Sequence, residues 1–113
     1  MVNRGAVILR YKEPFIKWIN DADPVKHKSE ITMSQVNQDR TVYLISDGDA
    51  ENIEKWIRKN YASLFEEELA GWYTDEALWP QKRDYNTFMK WVEVECHSVI
   101  NDTVGGEIYD DEL

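Results

Sequence analysis

The chain has 113 residues, 42% hydrophobic and 31% charged, with a formal net charge of −9. That balance fits one globular domain over 1–113 and excludes a low-complexity or disordered chain. The acidic excess repels phosphate backbones and so argues against nucleic-acid binding. The longest apolar runs, "AVIL" at 6–9 and "VYLI" at 42–45, are far too short to span a membrane.

A single cysteine, Cys96, allows no internal disulfide. The first residues show no signal-peptide pattern, and without one the C-terminal "DDEL" is not an endoplasmic-reticulum retention signal. Both features lead to the expectation of a cytoplasmic protein. Charge is uneven. Residues 1–40 carry seven basic against five acidic side chains, a balance of +2, and residues 41–113 carry six against seventeen, a balance of −11. Such asymmetry keeps a protein soluble, and it can also attract a basic protein partner.

In chain order, "GAVILRY" at 5–11 reads as a strand buried on both faces. Pro14 suits the first turn of a helix whose inner face holds Phe15, Trp18, Ile19 and Ala22, at i, i+3, i+4 and i+7. Asp23-Pro24 stops it. A polar loop at 25–30 follows, with His27 exposed between Lys26 and Lys28. "ITMSQVNQD" then forms a short helix, and "TVYLISDG" at 41–48 is a second buried strand ending at Asp47-Gly48.

A 3.6-residue stripe through Ile53, Trp56, Ile57, Tyr61, Leu64, Phe65 and Leu69 predicts a long helix over 50–70. Asp49 can cap its start, and Gly71 offers a left-handed stop. Trp56 is expected on its inner face. Thr74 can cap a short turn ended by Pro80. Asp84 can cap a helix with Tyr85, Phe88, Met89 and Val92 inward. "VEVECHSVI" at 92–100 alternates as an edge strand with one wet face, and residues near 107–113 form a frayed acidic tail.

The order β-α-(α)-β-α-α-α-β predicts an α+β (mixed α/β) fold: a small three- to four-stranded sheet covered by helices. The roughly thirty residues between the first two strands suit a right-handed parallel crossover.

No nucleotide-loop, paired-cysteine, zinc-helix or nucleophile-elbow motif occurs, and no cofactor is expected. Alternation puts Glu93, Glu95 and His97 in a row on one strand face. His97 with one carboxylate could hold a divalent metal, given further ligands from elsewhere. The same row is also what the exposed face of a half-buried strand looks like. Cys96 points to the opposite face from His97, which argues against a local nucleophile pair, and reads as a small buried hydrophobe.

The stretch "EEELAGWYTDEALWP" at 66–80 raises a different possibility. Glu66, Glu67 and Glu68 fall at a helix C-terminus, where the dipole disfavours acids. Lys82 and Arg83, a basic partner or water could compensate them. Trp72, Tyr73, Trp79 and Trp91 gather around the same region, either as a lid over a small core or as a binding surface.

On "EELAGWYTDEALWP" and "WVEVECHSV" the chain resembles a group of short, acidic, uncharacterised bacterial proteins, and the likeness extends over most of its length. The resemblance implies a bacterial, cytoplasmic origin and supplies no site residues. Two functions from different classes remain open. One is a non-enzymatic interaction protein that contacts a basic protein through Glu66, Glu67, Glu68, Trp72 and Trp79. The other is a small metal-binding protein or enzyme using His97 with Glu93 or Glu95.

Overall fold

The computed structural model describes residues 1–23 and 30–110. The elements are β1 (Arg4–Tyr11), α1 (Glu13–Ala22), α2 (Met33–Val36), β2 (Val42–Ser46), α3 (Asp47–Glu51), α4 (Ile53–Trp72), a 3-10 turn (Glu76–Leu78), α5 (Tyr85–Trp91) and β3 (Val92–His97). The fold is α+β, with three strands in the order β2-β1-β3. The loop at 25–30, with His27, falls almost wholly outside the described residues.

Both strand pairs are antiparallel, so the expected parallel crossover between β1 and β2 is wrong. Connection length alone does not fix direction; the return path does. Asn37, just after α2, accepts from the Tyr11 backbone N–H at 2.9 Å and donates to the Tyr11 carbonyl at 3.1 Å. It pins the returning chain beside the end of β1, so β2 starts there and runs back.

Strand alternation sorts the sheet into two faces. Val7, Leu9 and Tyr11 of β1, Ile45 of β2 and Val92 of β3 are buried against the helices. The outer face carries Ala6, Ile8 and Arg10, with Val42 and Leu44 on one side and Glu93, Glu95 and His97 on the other. Among the described residues no second layer covers Val42 and Leu44, which stay 52% and 53% exposed. β2 is therefore an edge strand buried on one face only, a correction to the two-faced burial its apolar run suggested. β3 is the other edge, as expected, but it stops at His97 rather than running to residue 100.

The helix signals divide in the same way. Pro14 lies in the first turn of α1, and Asp84 caps α5 by accepting from the Thr87 N–H at 2.8 Å. The long helix starts differently from expectation. Ser46 caps the short α3, and the backbone breaks at Asn52 (φ −126°, ψ 52°) before α4 begins. Asp49 thus sits inside α3. At the other end, α4 runs through Gly71 to Trp72 and turns extended at Tyr73, so Gly71 is not a left-handed stop. Asp75, not Thr74, caps the following turn.

One core joins the sheet to the helices, centred on Phe15, Phe65 and Phe88. Phe65 stands 5.5 Å from both Phe88 and Trp91 by ring centroid, in edge-to-face pairs. Trp56 packs against this core but is only half-buried. The aromatic region after α4 packs on the core and is tied to α1. Trp18 donates to the Leu78 carbonyl at 2.9 Å, Tyr73 to the Ile19 carbonyl at 2.5 Å, and Trp79 to the Tyr73 carbonyl at 2.7 Å. Beyond β3 the chain from Asn101 to Asp110 is exposed throughout. Among the described residues no helix is long and apolar enough to cross a membrane.

Candidate functional site

The most organised polar group lies where α4 crosses β1 and β2. Glu68 falls three residues after Phe65 and four after Leu64, so helical periodicity turns it inward with them. It is 7% exposed, a buried carboxylate within an otherwise apolar core. Tyr11 and Tyr43 face it because both share the inward parity of their strands, and Arg40 reaches it from just before β2.

Each oxygen of Glu68 is engaged. Oε1 accepts from the Tyr11 hydroxyl at 2.6 Å and from Arg40 Nη1 at 3.0 Å, and Oε2 accepts from the Tyr43 hydroxyl. Trp72 Nε1 donates to the Tyr11 oxygen at 2.9 Å. The Arg40 guanidinium also lies over the Tyr11 ring, 4.2 Å from its centroid. Its Nε is buried with no hydrogen-bond partner among the described residues. Burial, reinforced by Glu68, pushes the phenols of Tyr11 and Tyr43 well above the usual tyrosine range. Their protons are therefore held in the network.

Above this network is an open cavity of about 380 Å³, bounded by Thr41 and Tyr43 on the strand side and by Glu67, Gly71 and Trp72 on α4. The three consecutive acids thus have different surroundings. Glu68 is an internal partner, compensated by Arg40 and two tyrosines rather than by Lys82 or Arg83. Lys82 instead lies 3.9 Å from Asp84, and Arg83 donates to the Pro80 carbonyl. Glu67 borders the cavity, and Glu66 is exposed outside it. Trp72 is in the site. Trp79 is not, since it packs on the lid with Arg83 at 5.6 Å from its ring. Tyr11, Arg40 and Tyr43 had no individual signal in the sequence. Strand parity marks the two tyrosines as inward, but only the sheet brings them to Glu68.

The second candidate row also forms. Glu93, Glu95 and His97 share the outer face of β3. Glu95 bridges Arg10 Nε and His97 Nε2, each at 2.7 Å. Hydrogen bonds from Arg10 and then His97 hold its carboxyl below the usual carboxylate range. Among the described residues no group of three His, Cys, Asp or Glu is placed to hold a metal ion. Cys96 lies on the inner face, half-buried against the core, and burial raises its thiol pKa.

No protein-family model, curated protein or solved structure matches this chain.

Proposed function

We propose that this chain is a non-enzymatic interaction protein that contacts a basic protein partner through the surface at the C-terminal end of α4. Glu66, Glu67 and Trp72 carry that contact, with Tyr43 beside them. The observation behind this reading is the split among the three acids. Glu68 is satisfied inside the fold, while Glu66 and Glu67 stand exposed in the turn before the last of a 20-residue helix and make no hydrogen bond or ion pair among the described residues. Folding does not require that placement, and a basic partner would supply the opposite charge. Trp79, which belongs to the lid, is left out of the contact. The lone cysteine agrees with a cytoplasmic setting.

The test is capture from the native host's lysate at low and high salt, with wild type beside a Glu66→Gln, Glu67→Gln double variant. Charge steering acts mainly on the association rate. The variant should keep its stability, associate more slowly, and show a flatter salt dependence. Equal capture and equal salt dependence would overturn the reading. A stoichiometric heat on titrating zinc would favour the His97 row instead.

A further inference from the structure

Gly71 sits in the last turn of α4, and glycine is a poor helix former. Two structural reasons usually excuse a helical glycine: a left-handed φ, or another group pressed against its α-carbon. Neither applies. Its φ is not positive, and among the described residues nothing lies within 4 Å of where a β-carbon would stand. Gly71 borders the mouth of the cavity above Glu68. What the missing side chain provides is room.

The charges around that room select its occupant. Arg40 and Glu68 offset each other at 3.0 Å. That leaves Glu67 as the uncompensated charge among the lining residues. An anion would meet the Glu67 carboxylate at the cavity wall, and Arg40 already holds Glu68 through Nη1. A cation with a slim apolar stem fits instead. Trp72 and Tyr43 offer aromatic surface for the stem, and Glu67 offers the counter-charge. Both rings are held in place through the Glu68 network, so little ordering remains to be done on binding. At about 380 Å³ the cavity falls near the lower end of ligand pockets.

We infer that this cavity is a binding site for the guanidinium or ammonium end of a basic side chain presented by a protein partner. The inference rests on the interaction reading above and names the chemistry that the contact recognises.

The probe is N-acetyl-arginine N-methylamide, titrated into the full chain and followed by the backbone amide signal of Gly71 and the indole signal of Trp72. The neutral isostere N-acetyl-citrulline N-methylamide is the control. Saturable shifts are expected with the arginine probe, and binding about tenfold or more weaker with citrulline, the scale of one charge-assisted hydrogen bond. Glu67→Gln should lose a similar factor. Gly71→Leu should abolish binding by filling the mouth while leaving the thermal midpoint unchanged or higher. Equal shifts with both probes, or binding unchanged in Glu67→Gln, would overturn the site. If the probe fails while the Glu66→Gln, Glu67→Gln variant still loses partner capture, the cavity is wrong and the acidic surface stands.

Discussion

Replacing Glu68 with glutamine keeps the shape of the side chain and removes its charge. Glutamine has one acceptor oxygen where glutamate has two, and its amide donates. One of the three donors now converging on Glu68 must therefore face another donor. Tyr43 can rotate its hydroxyl and accept; Arg40 cannot, since a guanidinium only donates and stays charged. The Arg40 side chain is only 14% exposed, and the Glu68 side chain 6%. Breaking a buried ion pair from one side costs about 3–5 kcal/mol. Residual exposure of Arg40 and reorientation of Tyr43 place this case near the lower end, about 3 kcal/mol. That is a large share of the roughly 5–15 kcal/mol that holds a domain together. With a urea slope of about 1–3 kcal/mol/M, the midpoint should drop by roughly 1–3 M at unchanged slope. Glu66→Gln and Glu67→Gln, both on exposed positions, should stay within about 0.5 kcal/mol of wild type. A loss below about 1 kcal/mol for Glu68→Gln would show that the carboxylate is not the internal counter-charge of Arg40.

Stability should also fall in alkali. The phenols of Tyr11 and Tyr43 are raised above their unfolded pKa. Below about pH 10 both states keep these protons and the contribution is complete. Above it the unfolded chain releases them first. Stability is then lost at up to about 1.4 kcal/mol per pH unit for Tyr11, with less from the half-open Tyr43. Urea unfolding of wild type and Tyr11→Phe between pH 9 and about pH 11.5 checks this; parallel pH curves would contradict it. A third expectation concerns Gly5, where a β-carbon would stand 2.5 Å from Ala50 Cβ of α3 and 3.3 Å from the His97 carbonyl. Gly5→Ala should cost about 1–3 kcal/mol by overpacking, and adding Ala50→Gly should recover part of it. Equal thermal midpoints for wild type and Gly5→Ala would show that α3 is free to move away.

The parts of this fold that depend on neighbours along the chain were legible in the sequence. The stripe through Ile57, Leu64, Phe65 and Leu69, the Asp84 cap, Pro14 in a first turn and the alternation of Val92, Val94 and Cys96 all follow from local geometry. Periodicity even marks Glu68 as inward, three residues past Phe65, although a carboxylate at that position reads more naturally as solvated. The rest was decided between segments distant in sequence. Strand direction depended on Asn37 holding the returning chain beside Tyr11. The exposure of Val42 and Leu44 depended on which sheet face the helices covered, and an apolar run reads alike whether one face is buried or two. Ser46 displaced Asp49 as a cap because β2 hands directly into α3. The site itself joins residues 11, 40, 43, 68 and 72 from two strands, a loop and a helix. Burial decided its chemistry: the same carboxylate that would be a solvated surface acid along an isolated helix becomes, under Tyr11, Tyr43 and Arg40, the fixed centre of a hydrogen-bonded floor.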